Sequence, residues 1–186
     1  NGNSTTRPYR VAPLGLSFLA SFLEGLGHKV ITRDYPFKKR DSNILLQDCQ
    51  KWQPDIVGMG IRNLDNSDLN AYMSYLKQPA KIISMIRNKL DKFDTPIIVG
   101  GPAGTVDPEL VIKETGADCV IRGEGEQAFV EVLAYLNSDI KLPKLLPPLD
   151  SAPYRFETTK TLPSPKLYKH FDMHTYLGRD GGYPLQ

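Results

Sequence analysis

Glycines and polar side chains able to hold a ligand recur at three points of the chain, each just after a short β-branched run. The first is Met59-Gly60-Ile61-Arg62-Asn63-Leu64-Asp65-Asn66 and the second Gly100-Gly101-Pro102-Ala103-Gly104-Thr105. The third is Arg122-Gly123-Glu124-Gly125-Glu126. Glycine at a strand end lets backbone come close to a broad or bulky ligand with no Cβ in the way. One Gly-Gly pair there would signify only a tight turn; three glycine-rich ends in one chain point to a binding edge. The opening loop adds the hydroxyls of Ser4, Thr5 and Thr6 and the segment Pro13-Leu14-Gly15. No Ser/His/Asp or Cys/His set can be assembled for nucleophilic catalysis, so the chemistry on offer is binding.

The elements that must carry these segments are readable. Lys29–Asp34, Asp55–Gly60, Pro96–Gly100 and Asp118–Arg122 are short β-branched runs separated by helical patterns, which predicts βαβ units on a parallel sheet. Leu14–Leu26 reads as an almost wholly apolar helix stopped by Gly27. After Pro79, the residues Ala80, Ile83, Ile86, Leu90 and Phe93 keep helical spacing. Asp107-Pro108-Glu109 is an N-cap, an N1 proline and an acid suited to the helix dipole, with Gly116 at the far end. Ala128, Phe129, Val132, Leu133 and Leu136 mark a last amphipathic helix. The expected fold is therefore α/β: a Rossmann-like (flavodoxin-like), doubly wound parallel sheet with helices on both faces. Such sheets bind at the carboxyl ends of their strands, where the three segments fall. A doubly wound sheet also calls for a strand before the opening loop. None is visible in residues 1–13, and an upstream position is expected for it.

Composition bounds the rest. The 186 residues hold 23 Lys+Arg against 21 Asp+Glu, a net charge of +2 with no basic block, which argues against a nucleic-acid partner. The most apolar stretch, Val11–Leu23, is shorter than the ~18–20 residues of a membrane span, and no signal peptide is legible. Cys49 and Cys119 match no disulfide framework or zinc motif and read as small core residues in a reducing cytoplasm. The last 46 residues, from Lys141, hold 7 of the 15 prolines and lack helical periodicity. That shift predicts a binding domain over 1–140 and a proline-rich connector over 141–186. Other candidates read as ordinary structure: His170 and His174 as solvated, His28 as a helix-end cation, Lys38–Arg40 as a basic loop, and Trp52 as a packing anchor.

In combination these residues resemble a known family. Val99-Gly-Gly-Pro-Ala-Gly-Thr-Val-Asp-Pro-Glu109, Gly116-Ala-Asp118 and Val120-Ile-Arg-Gly-Glu-Gly-Glu126 are similar to the N-terminal cobalamin-binding domain of cobalamin-dependent radical SAM enzymes. Pro13–Ala20, Gly27–Val30, Asp34 and Pro54–Gly58 match the same pattern, so the resemblance covers about residues 11–136. Leu142-Pro143, Pro148–Asp150 and Gly181–Gln186 resemble the transition toward that family's radical SAM barrel. The resemblance implies a cobalamin-binding module of a methyltransferase. In the whole enzyme a [4Fe-4S] cluster and S-adenosylmethionine generate a substrate radical, to which methylcobalamin gives a methyl group. This chain has no Cys-x3-Cys-x2-Cys run for the cluster, so the barrel would be its partner, in the same or another chain.

The residues expected to contact cobalamin are Ser4, Thr5, Thr6, Pro13, Leu14, Gly15, Gly60, Ile61, Arg62, Asn63, Gly100, Gly101, Pro102, Gly104, Thr105, Arg122, Gly123, Glu124, Gly125 and Glu126. Gly100, Gly101, Gly123 and Gly125 are expected to open a slot for the nucleotide tail. Glu124 or Glu126 would accept hydrogen bonds from hydroxyls, since two acids repel a phosphate. The loop 1–15 holds no histidine, so cobalt ligation through an Asp-x-His-x-x-Gly motif is not expected. Arg62 is the candidate for the lower axial side, against the plainer reading of a surface pair with Asp65 or Asp68. A competing reading of the same fold is a flavodoxin-like electron carrier, with flavin mononucleotide held by Ser4, Thr5 and Thr6.

Overall fold

A computed structural model describes residues 12–34, 41–66, 68, 70–89, 94–155 and 163–176. The chain divides into two compact units, residues 39–159 and a unit formed by 1–38 with 160–186.

The larger unit is a four-stranded parallel sheet in the order β1-β2-β3-β4, with β1 at Val57–Gly60, β2 at Ile97–Gly100, β3 at Cys119–Ile121 and β4 at Leu145–Leu146. All six residues of Ile97–Val99 and Cys119–Ile121 are at most 1% exposed. Continuous apolar runs of this kind belong to strands covered on both faces. One face carries Cys49, Ile83, Ile86 and Val111, from α2 (Asp41–Trp52), α3 (Lys77–Lys89) and α5 (Pro108–Thr115). The opposite face meets α6 (Gly125–Leu136): a Cβ on Gly58 would lie 3.3 Å from the Phe129 ring. The expected parallel α/β sheet is thus formed, with β2 and β3 covered on both faces while Gly58 of β1 stays exposed.

Local signals act as anticipated. The Asp107 carboxylate accepts the Leu110 N–H at 2.9 Å, Pro108 opens α5, and Gly116 closes it at φ +69°. At the amino edge, the Asp118 carboxylate accepts from the Ile97 N–H (2.7 Å) and from Arg87, whose other arm donates to the Thr95 carbonyl at 2.9 Å.

Two expectations change. Among the described residues, Lys29–Asp34 forms no strand; Thr32 instead donates its hydroxyl to the His170 carbonyl at 2.7 Å. A β-branched run becomes a strand only where a ladder partner exists. The boundary anticipated at residue 140 falls inside the larger unit. Leu145 and Leu146 extend the sheet beside β3, because Val120 and Arg122 offer their N–H groups to Lys144 and Leu146.

In the smaller unit, α1 (Leu14–Gly25) ends in a Schellman turn, with Gly27 N–H on the Glu24 carbonyl and His28 N–H on that of Leu23. The short α7 (Leu167–His170) packs on it. His170 is not solvated as its surroundings in sequence suggest. It is 8% exposed, its Nδ1 lies 2.8 Å from Ser17 Oγ, and its Nε2 faces the Glu24 carboxylate at 3.6 Å. The reason is tertiary: Ser17 and Ser21, both at most 1% exposed, leave room on α1 for a close neighbour. His174 is exposed, as expected. Trp52 is no packing anchor; it is 40% exposed at the end of α2, with the Lys51 ammonium 5.0 Å from its ring centre. No described helix is long and apolar enough to cross a membrane.

Candidate functional site

Parallel strands bring the three glycine-rich segments to one edge. In register, Gly60 at the end of β1 sits beside Gly100 at the end of β2, and Val99 beside Val120 of β3. The loops that follow are bonded to each other. Ile61 N–H donates to the Gly100 carbonyl (2.9 Å), and Ala103 N–H, at the start of α4 (Pro102–Val106), donates to the Ile61 carbonyl (3.1 Å). Thr105 Oγ1 accepts the Gly123 N–H at 2.8 Å, joining the second segment to the third.

Glycine turns out to serve this joining. Gly101 stands at φ +91°, and a Cβ there would be 2.8 Å from the Ile61 carbonyl oxygen. Gly123 stands at φ +88°, and its Cβ would fall 2.2 Å from the Tyr154 carbonyl oxygen. Gly104 is confined by the Ile121 carbonyl at 3.0 Å. The space expected as a slot beside Gly101 and Gly123 is filled on the Cβ side by protein backbone. Gly60 differs: nothing lies within 4 Å of where its Cβ would be. It is exposed, as are Arg62 and Asn63 just beyond it, whereas Ile61 is buried in the core.

The third segment divides its labour. The Arg122 guanidinium donates to the carbonyls of Pro148 (2.6 Å) and Ser151 (3.1 Å), so this arginine fastens the 147–151 loop. Residues 122–124 also exchange backbone bonds with Tyr154, Tyr154 N–H to Arg122 carbonyl at 3.1 Å and Glu124 N–H to Tyr154 carbonyl at 3.0 Å. The Tyr154 hydroxyl donates to Glu131 at 2.6 Å; burial first, then that carboxylate, raises its pKa. Sequence reasoning had no means of finding Tyr154, because its partner segments lie some 30 residues apart in the chain. Glu124 is exposed at the N-cap position of α6, while Glu126 in its first turn is buried. Burial raises the Glu126 pKa, its own backbone N–H lowers it, and Glu124 raises it further.

Ser4, Thr5 and Thr6 lie outside the described residues. Pro13, Leu14 and Gly15 open α1 in the other unit, where Pro13 provides no side-chain cap and Gly15 has open space around it. Cys49 and Cys119 are buried, free thiols; burial pushes Cys119 up to about 12. Among the described residues no three His, Cys, Asp or Glu side chains gather to hold a metal ion.

Fold and edge together define a Rossmann-like α/β domain, a parallel sheet with flanking helices whose three glycine-rich loops meet at the carboxyl ends of the strands. The B12 binding domain profile matches residues 2–133, and the chain belongs to that family. It is similar to uncharacterized methyltransferase PH0819 of Pyrococcus horikoshii, with 32% identity over 135 residues, 72% of this chain and 27% of that protein. It is also similar to hopanoid C-3 methylase of Methylococcus capsulatus, with 26% identity over 68% of this chain and 22% of that protein. Among solved structures, it matches the radical S-adenosylmethionine methyltransferase TsrM of Kitasatospora setae, in one case with cobalamin and a [4Fe-4S] cluster bound. That likeness has a TM-score of 0.61 and 25% identity, over 69% of this chain and 22% of TsrM. A second TsrM structure, with tryptophan and a SAM analogue, matches at the same TM-score and identity. The chain spans about a quarter of the length of the relatives it matches.

The residues present fit a corrin, a broad disc with apolar faces and an amide rim. Gly60 is exposed with nothing within 4 Å of where its Cβ would be, and the exposed Asn63 (donor and acceptor) and Glu124 (acceptor) match the amide rim in chemistry.

Proposed function

We propose that this chain is the cobalamin-binding module of a radical SAM methyltransferase. The observation that carries the reading is the likeness to TsrM over 69% of this chain, at 25% identity, in a structure holding both cobalamin and a [4Fe-4S] cluster. Both curated relatives are methyl-transferring proteins by name. Bound cobalamin supplies a cobalt centre that can accept and donate a methyl group. The chain's own contribution is to seat the corrin at the open end of β1, through Gly60, Arg62 and Asn63. The bonded loops at Gly101, Thr105 and Gly123 hold that edge rigid. Arg62 would lie against the bound ring, contributing a cation that cannot itself serve as a metal ligand. The partner is a radical SAM barrel, which supplies the cluster and S-adenosylmethionine.

The test is a UV-visible titration of the purified chain with hydroxocobalamin, followed by gel filtration. Corrin absorbance co-eluting with protein at about one equivalent is expected for a single site. Retention of flavin mononucleotide but not of corrin would replace this reading with the electron-carrier one. For Arg62, the test is Arg62→Ala: an unchanged cobalamin spectrum and affinity would remove its assigned role.

A further inference from the structure

Between β1 and α3 the chain makes an excursion that the binding reading leaves unused. Tyr75 N–H donates to the Leu64 carbonyl (2.8 Å), Asp65 bridges Ser74 antiparallel, and Asn66 N–H donates to the Met73 carbonyl (3.2 Å). Side chains brace the tip. Asn66 Oδ1 accepts the Met73 N–H at 2.9 Å, its Nδ2 donates to the Ala71 carbonyl at 2.8 Å, and Asp68 accepts the N–H groups of Asn70 and Ala71. The described residues of this hairpin present two large apolar side chains to solvent: Tyr72 is 68% exposed and Met73 59%. Water-facing apolar groups on a braced loop, beside a binding edge, are where a further contact is to be sought.

We propose that Tyr72 and Met73 form an apolar wall that packs on the corrin bound at the end of β1. The inference rests on the cobalamin reading and adds residues to it. Topology carries it. The hairpin begins at Leu64, four residues after Gly60 at the carboxyl end of β1, and returns to α3, so it stands at the edge to which the corrin is assigned. An aromatic ring and a polarisable thioether suit the face of a conjugated macrocycle. Val106, 75% exposed at the end of α4, and Leu149, 49% exposed after β4, also follow carboxyl ends of strands, but each stands without an exposed large apolar neighbour in sequence, whereas Tyr72 and Met73 are adjacent. Ile140, 66% exposed, follows α6 and precedes β4, and so belongs to the opposite, amino edge.

The experiment compares hydroxocobalamin affinity, by absorbance titration, in the unaltered chain, Tyr72→Ser, Met73→Ser and Met73→Leu, with Ile140→Ser as control. Far-UV circular dichroism establishes that each variant is folded. Expected are a loss of about tenfold for each serine variant, from apolar contact area removed, and little change for Met73→Leu and Ile140→Ser. If the unaltered chain binds and the serine variants bind equally well, the wall does not exist and the cobalamin reading stands. An equal loss in Ile140→Ser also overturns the wall. If the unaltered chain binds no corrin, the reading itself falls, and this inference with it.

Discussion

Replacing Gly123 by alanine separates the two jobs a glycine can do at this edge. Gly123 stands at φ +88°, and the added methyl would lie 2.2 Å from the Tyr154 carbonyl oxygen and 2.6 Å from its nitrogen. Non-glycine residues pay about 1–2 kcal/mol for a left-handed backbone. The clash must also push Tyr154 away, breaking its bonds to Arg122 and Glu124, worth about 0.5–1.5 kcal/mol each. The expected destabilisation is about 2–5 kcal/mol, a large part of the roughly 5–15 kcal/mol that holds a typical domain together. Trp52 is the chain's single tryptophan and lies in the sheet unit, so urea unfolding followed by its fluorescence reads that unit directly. With a slope of about 2 kcal/mol per molar, the midpoint falls by ~1–2.5 M. Gly60→Ala is the matched control, since nothing lies within 4 Å of its Cβ and its φ is not positive. It is expected to leave the midpoint within ~0.3 M, because small changes at open surface positions shift stability by only about 0.5 kcal/mol. Equal midpoints for Gly123→Ala and the unaltered chain would refute the reasoning that Gly123 is there for the crossing with Tyr154.

Three more outcomes are expected. Asp118→Ala strips the acceptor from Ile97 N–H and Arg87 and destabilises the sheet unit by about 1–2 kcal/mol in the same assay, the partial exposure of the pair limiting the effect. Glu24 has its pKa lowered chiefly by the hydrogen bond from Lys169, against the opposing effect of burial, with the charges of Lys169, His170 and Lys166 adding to the lowering. Its ionised form therefore stabilises the packing of α7 on α1 above its ordinary value near 4.5, and that contribution is lost as pH falls through the lowered value. The protection of amides 167–171, taken as the intrinsic exchange rate over the observed rate at each pH, should fall on acidification in the unaltered chain and lose that acid dependence in Glu24→Gln. Finally, Cys49 and Cys119 are buried thiols with raised pKa values, so a disulfide reagent should label neither until denaturant is added; rapid labelling of native protein would contradict their burial.

Much of the fold is local and hence legible. The Asp107 cap, the Gly27 and Gly116 stops and the runs at Ile97–Gly100 and Cys119–Ile121 each carry their instruction within a few residues. The three glycine-rich segments were likewise visible as neighbours, because any parallel strand delivers its following loop to the carboxyl edge. The role of the glycines was not. From sequence, Gly101 and Gly123 look like openings for a ligand; in the fold their missing Cβ atoms admit the backbones of Ile61 and Tyr154.

What the amino-acid sequence determined by itself is therefore the class of domain, the loops that gather at one edge of the sheet and the family resemblance, since periodicity, caps and motif spacing are properties of neighbouring residues. Tertiary structure alone decided the rest. Lys29–Asp34 has the composition of a strand but no ladder partner among the described residues, and Leu145–Leu146, in a proline-rich stretch, is a strand because β3 offers it free N–H groups. His170 is buried because Ser17, 153 residues away, leaves space for it and supplies a partner. Arg122 holds a loop because the carbonyls of Pro148 and Ser151 converge on it. Pairing and burial depend on which distant groups meet, and no local pattern encodes that meeting.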